Sequence, residues 1–212
     1  MPANTLIAFE PRKTPIQERA AATVQAIFEA TIQVLLSHGA DRLTTTRVAD
    51  RAGVSVGTLY QYYPNKQSLL LAAFEKHMEE VCEKVEGACA RARRKPLAEM
   101  IQQLVEAFVD VKIERADISV ALYHVAAEVG GLAVVKRATQ RLRKAAIAML
   151  ETAPDVKMPP DKFAVEIMLA ASSGAMRSAL EAGGSPAQLR KLREHLVLLC
   201  QSYMTVVTSP RK

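Results

Sequence analysis

A chain of 212 residues, half of them hydrophobic, is long enough to bury a core in one large domain or two small ones. Glycine is sparse, and the abundance of strong helix formers such as Ala, Leu and Arg favours an all-helical fold. The net charge of +6 suits an anionic partner without proving one.

The first forty residues predict an arm followed by a helix. Residues 1–15 hold three prolines and little periodicity, which is typical of a flexible arm. Arg12 and Lys13 make the end of this arm basic, so it could touch a phosphate backbone or be a disordered tail. From Ile16 the apolar residues recur at helical spacing, which predicts a helix that ends at Gly39.

The stretch TTTRVADRAGVSVGTLYQYY predicts two very short helices joined by a tight turn. Thr44 or Thr45 can cap the first helix, and Ser55 can cap the second, which runs from Val56 to about Tyr62. The turn between them requires a positive φ, which Gly53 adopts without steric cost. Two helices joined by such a turn match the description of a helix-turn-helix.

Six more helices are predicted after Pro64, which ends the second short helix, so the chain should hold about nine in all. Their starts are marked by proline or a capping side chain, and several ends are marked by glycine. The predicted ranges are 66 into the eighties, 96–114, 117–128 with Asp117 as the cap, 132–152, 161–182 and 186–207.

The segment TTTRVADRAGVSVGTLYQYYPNKQSLL resembles the DNA-binding segment of the TetR family of bacterial transcriptional repressors. The shared pattern is a threonine-started short helix, an Ala-Gly-Val turn, Gly-Thr-x-Tyr-x-x-aromatic, Pro-x-Lys and Leu-Leu. It covers about residues 19–75, and beyond them only the helix count and chain length are similar. The matching positions are Thr45, Ala52-Gly53-Val54, Gly57-Thr58, Tyr60, Tyr63, Pro64, Lys66 and Leu69-Leu70.

The resemblance implies an all-α regulator with two domains behind the arm. A three-helix DNA-binding domain would occupy residues 16–65, and a helical domain for effector binding and dimerisation would occupy residues 66–212. The partners implied are double-stranded DNA with a palindromic operator, a second copy of the chain, and a small effector. We expect a repressor that a hydrophobic effector releases from DNA.

In a helix-turn-helix the second helix enters the major groove, and its first residues reach base edges. Gln61 can pair with adenine and Val56 can touch a thymine methyl group. Lys66, at the start of the next helix, suits a phosphate, and Tyr63 should anchor the short helix to the core. The full set of expected DNA contacts is Thr45, Thr46, Val56, Gly57, Thr58, Tyr60, Gln61, Tyr62 and Lys66.

The domain beyond residue 66 gives weaker signals. Small residues in the 161–182 helix permit close approach to the last helix, so these two could form a four-helix dimer interface. The last helix would contribute Leu189, Leu192, Leu196, Leu199 and Tyr203. The expected effector-pocket residues are Phe108, Tyr123, His124, Met149, Met168 and Met176, with Glu128 and Arg177 as polar anchors.

Other functional classes find little support. The chain lacks GxSxG, a Walker loop, HExxH and any Cys/His cluster, so we expect no catalytic residue, no metal ion and no cofactor. Cysteines without CxxC spacing indicate reduced thiols, and the absence of a signal peptide or an apolar run of about 20 residues predicts a cytoplasmic protein without a membrane span. The alternatives are a membrane-surface or protein-interaction module that uses the basic stretch KRATQRLRK (136–144), and a helical adaptor.

Overall fold

The computed structural model describes residues 15–157 and 160–209, with side chains from Arg19 onward. These residues form nine helices and no strand, and the chain divides after Leu69 into two compact units. The predicted all-α class is therefore confirmed. The helices are α1 (Pro15–Arg42), α2 (Thr45–Ala52), α3 (Val56–Tyr62), α4 (Lys66–Ala92), α5 (Leu97–Glu114), α6 (Ala116–Ala126), α7 (Gly131–Leu150), α8 (Lys162–Glu181) and α9 (Pro186–Thr208).

Unit 1 contains α1, α2, α3 and the first residues of α4. Thr44 caps α2 by accepting a hydrogen bond from the Arg47 N–H at 3.2 Å. Ser55 caps α3 in the same way, accepting from the Thr58 N–H at 2.9 Å. Gly53, with φ of 68°, ends α2, so the turn is closed by the residue whose backbone tolerates it. The side chains of Val48, Ala49 and Leu59 are completely buried and hold α2 and α3 in place.

Helix α1 is interrupted at its predicted end. Gly39 has φ 75° and ψ 169°, which are not helical values, so the long helix ends at a kink there and a short helical segment continues to Arg42. The segment Arg19–Arg42 is also long and apolar enough to cross a membrane, by length and composition only. This differs from the expectation that no segment approaches such a length. Several of its apolar side chains, among them Ile27, Val34 and Leu35, are buried in the protein, as in the core helix of a folded domain.

Unit 2 contains the rest of α4 and helices α5 to α9, with α5 packed on α9 and α8 packed on α7 and α9. Asp161 caps α8, and Ser185 with Gln188 forms a capping box on α9. The cap predicted at Asp117 is wrong. The N-cap of α6 is Arg115, two residues earlier, and the Asp117 carboxylate instead accepts from the Ile118 N–H at 2.9 Å.

The predicted arm lies outside the described residues except for Pro15, which begins α1. All three cysteines are unpaired and buried. In the part of the chain that the structure describes, no three side chains of the metal-ligating kinds lie close enough together to hold an ion.

Candidate functional site

The polar side chains of helix α3 are exposed to solvent or partly so. Only Leu59 is completely buried, and it fixes this helix of seven residues to the core of unit 1. Gln61 and Tyr62 are exposed, and Tyr60 retains 48% of its accessible surface. The remaining expected base contacts are at least partly accessible, namely Val56, Gly57 and Thr58. The helix therefore presents a contiguous polar face with a single apolar anchor behind it.

The start of α2 is linked to α3 by a hydrogen bond between two of the expected DNA contacts. The Thr45 hydroxyl lies 3.1 Å from the Tyr60 hydroxyl. Thr46 is exposed next to this pair. Since the first N–H groups of a helix carry partial positive charge, the two hydroxyls and the start of α2 form a surface that suits a phosphate oxygen.

Lys66 is the first residue of α4 and is partly exposed. Asn65 caps this helix, because its side-chain oxygen accepts from the Ser68 N–H at 2.8 Å. The lysine charge thus lies at the positive end of a helix, where an anion is doubly favoured. Tyr63, between α3 and α4, is half-buried, and burial raises the pKa of its phenol.

Two arginines of α2 were not singled out from the sequence. Arg47 donates to the carbonyl oxygen of Arg42 at 2.5 Å, and Arg51 donates to the side-chain oxygen of Gln33 at 2.5 Å. Both acceptors are neutral, and neither guanidinium has an acidic partner among the residues whose side chains are described. The signal that could have found them is their spacing of four residues on one face of a short, exposed helix.

Unit 2 encloses a cavity of about 590 Å³ between helices α4 to α8. Most of its wall is apolar, which is typical of a site for a small molecule. Leu132 lies where the cavity meets the surface, since 76% of its area is exposed. Other wall residues include Met78 and Val85 of α4, Leu104, Val105 and Phe108 of α5, Tyr123 of α6, Leu142 of α7 and Leu169 of α8.

The structure brings together only part of the expected pocket. Phe108, Tyr123 and Arg177 line the cavity. His124 and Glu128 are exposed and lie outside its wall. The three methionines expected there are packed in the core, where such flexible side chains fill gaps between helices. They are Met149, Met168 and Met176.

Lys112 is a wall residue that the sequence analysis missed. Only 1% of its surface is exposed, and burial lowers its pKa to about 8. Its Nζ lies 3.9 Å from Met78 Sδ and 5.0 Å from the centre of the Tyr123 ring. The Arg177 guanidinium faces the same ring at 5.6 Å. The available signal was a lysine four residues after Phe108, on a helix face that is otherwise apolar.

The three arginines in the basic stretch on α7 are held in ion pairs, whereas its lysines, Lys136 and Lys144, are exposed. Arg141 binds Glu79 at 2.5 Å and Glu86 at 2.8 Å, and Arg137 binds Glu75 at 2.6 Å. Arg143 is paired with Glu166. The hydrogen bond from Arg141 is the main cause of a lowered pKa for the Glu86 carboxyl. These pairings leave fewer basic side chains available to an anionic membrane surface and so disfavour the membrane-surface alternative.

Two family models together match most of both units. Residues 27–73 match "Bacterial regulatory proteins, tetR family", and residues 96–204 match "Tetracyclin repressor-like, C-terminal domain". Among known relatives, the transcriptional repressor KstR of Mycolicibacterium smegmatis is 37% identical over 62 residues. The "Fatty acid metabolism regulator protein" of Bacillus subtilis is 32% identical over 60 residues. These matches span about a third of each relative (30% and 31%) and 29% and 28% of this chain.

Solved structures match over almost the whole chain. A TetR-family regulator from Mesorhizobium loti superposes with a TM-score of 0.75 at 16% identity, covering 90% of this chain and 99% of that one. The fatty acid degradation regulator FadR from Bacillus halodurans superposes with a TM-score of 0.66 at 18% identity, covering 90% and 97%. At such identities the likeness establishes the fold alone. The family models, one in each unit and the second over half of the chain, show that the chain belongs to the TetR family of bacterial regulatory proteins.

Proposed function

We propose that the protein is a repressor that binds a palindromic operator as a homodimer and is released by a small molecule held in the cavity of unit 2. The observation that carries this proposal is the course of α4. This helix begins at Lys66, an expected phosphate contact, and further along it supplies Met78 and Val85 to the cavity wall. A ligand that shifts α4 would therefore move Lys66 and weaken its expected contact with a DNA phosphate.

The DNA contacts are divided by chemistry. Gln61 and Val56 of α3 would read bases in the major groove, and the hydroxyls of Thr45 and Tyr60 would bind phosphate together with Lys66. Their exposure supports these roles, because a side chain that contacts DNA must be accessible in the free protein. One short reading helix covers too few bases for specificity, which is why we expect two copies on a two-fold symmetric site, with reading helices about 34–36 Å apart or somewhat more.

Helices α8 and α9 carry the proposed dimer interface. Leu189 and Leu196, which were expected in it, are instead buried within the protomer. Leu199, which was also expected in it, is exposed, and the other exposed apolar side chains on the two helices are Phe163, Ile167, Leu198 and Val206. Two such helix pairs can pack as a four-helix bundle that removes these side chains from water.

The interface is tested by Leu198→Glu, which places a charge on a leucine that is 61% exposed. We expect the variant to sediment as a monomer at micromolar concentration and to lose operator affinity. Leu36→Glu is the control, because it places the same charge on an exposed leucine of α1. This variant should still sediment as a dimer. A wild-type monomer with full operator affinity would contradict the proposal.

Release is tested by two titrations. An operator is first selected from random duplexes, and an apolar ligand is found by displacement of a fluorescent dye from the protein. The ligand should weaken operator binding by about 1–3 kcal/mol, and operator should weaken ligand binding by the same factor. Equal ligand affinity with and without operator would show that this ligand is no inducer, and tighter operator binding would indicate a co-repressor.

We place the protein in the cytoplasm, where it acts by binding and not by catalysis.

A further inference from the structure

The wall of the cavity in unit 2 holds one cation that no acidic side chain neutralises among the described residues. Lys112 is almost fully buried, and its ammonium contacts the thioether of Met78 and the ring face of Tyr123. Neither group carries a negative charge. A buried charge without an opposite partner is strongly unfavourable, so this position favours an anion from outside the chain.

The other two cations in the wall already have acidic partners. Arg143 is paired with Glu166, and Arg177 with Glu181 at 2.7 Å. Each of these pairs has no net charge. The wall therefore offers one unmatched positive charge, which a ligand with a single negative charge would balance and a doubly charged phosphate would not.

We propose that the effector is an amphipathic monoanion, whose carboxylate pairs with the Lys112 ammonium while its apolar body lies against the apolar wall. Lys112 is buried and Leu132 is exposed, so the head would lie deep and the body would extend toward the surface at Leu132. The volume of about 590 Å³ accommodates a small molecule with a substantial apolar body. This inference depends on the proposed function only in taking the cavity as the effector site.

Among the buried groups of this site with a shifted pKa, only Lys112 should change its charge between pH 5 and 9. Burial lowers the pKa of His77 to about 3, and raises those of Cys82 and Tyr123 to about 11 and about 12, so none of the three titrates between pH 5 and 9. Burial lowers the pKa of Lys112 to about 8. Carboxylate binding should therefore weaken as the pH rises above about 8. The titratable and charged groups around Lys112 or in its cavity are His77, Cys82, Arg115, Tyr123, Arg143, Glu166 and Arg177.

The test compares three probes with the same tail, namely decanoate, 1-decanol and decylamine, by calorimetric titration of the full chain at pH 7. We expect decanoate to bind at least about tenfold more tightly than 1-decanol, and decylamine to bind most weakly. Lys112→Met should weaken decanoate by about 30-fold or more and leave 1-decanol unchanged. Lys136→Met, at an exposed lysine of α7 that does not line the cavity, is the control and should keep the affinity for decanoate.

A second measurement needs no variant. For the wild-type protein, decanoate affinity should fall between pH 7.5 and 9.5 while 1-decanol affinity stays constant. Equal affinities for decanoate and 1-decanol at pH 7 would overturn the inference. So would a preference that survives Lys112→Met but is lost in Arg177→Met, since the headgroup would then lie beside Arg177.

The outcomes separate this inference from the proposed function. If 1-decanol binds and releases the operator while decanoate does not bind, the effector site stands and the carboxylate inference fails. If decanoate binds through Lys112 but leaves operator affinity unchanged, the inference about the site holds and the proposed release by this ligand fails.

Discussion

Replacement of Lys112 by methionine should stabilise the ligand-free protein. The side chain is 1% exposed, and its ammonium contacts a thioether and a ring face without an acidic partner among the described residues. Methionine has a similar length, is flexible and carries no charge, so it can fill the same space beside Met78. Removal of the buried, unpaired charge then removes the free-energy cost of taking the ammonium out of water, which stabilises the folded state.

The magnitude follows from the lowered pKa. A fall from 10.5 to about 8 corresponds to about 3 kcal/mol, at about 1.4 kcal/mol for each tenfold change in proton affinity. Because the folded pKa lies below the unfolded one, the destabilisation is complete below about pH 8 and declines as the pH rises toward 10.5. We therefore expect Lys112→Met to gain about 3 kcal/mol at pH 7 and about half of that at pH 9.5.

Thermal unfolding at equal protein concentration measures this difference. For a chain of this size, 1 kcal/mol moves Tm by about 2–4 °C, so Lys112→Met should raise Tm by about 6–12 °C at pH 7 and by about half as much at pH 9.5. Lys136→Met, at an exposed lysine of α7, should change Tm little at either pH. A lower Tm for Lys112→Met, or a gain that is the same at both pH values, would refute the reasoning.

Three further substitutions test the DNA-binding residues and the packing of unit 2. Lys66→Ala should weaken binding to all duplexes alike and reduce the salt slope by about one, measured by fluorescence anisotropy, whereas an altered base preference would contradict a phosphate role. Gln61→Ala should relax specificity at one position in each half-site, at a cost of about 1–3 kcal/mol there in competition binding, and unchanged specificity would remove Gln61 from base reading. Gly131→Ala should lower Tm, because the added Cβ would lie 2.7 Å from the Ala126 carbonyl oxygen and 2.9 Å from a Phe74 ring carbon, and an unchanged Tm would show that α7 shifts freely.

The sequence by itself determined most of the helices and the geometry of the segment that we propose reads DNA. Caps and turns depend on side chains within a few residues of one another, as Thr44, Gly53 and Ser55 show, so their geometry can be predicted from local spacing. The same is true of α3, where Leu59 is the one fully buried residue and its neighbours are polar, small or partly exposed. The proposed role of these positions in DNA binding comes from the family resemblance.

Only the tertiary structure decided which apolar faces meet. Periodicity shows that a helix has an apolar face. Because the hydrophobic effect is non-directional, the pattern does not identify whether this face packs against a neighbouring helix, lines a cavity or contacts a second protomer. Met168 is therefore a core residue and not a pocket residue, and Leu196 is buried within the protomer while Leu198 remains exposed. Lys112 shows the same limit, because its spacing placed it on an apolar face, and only the packing of α4 and α6 around it left its charge without a partner.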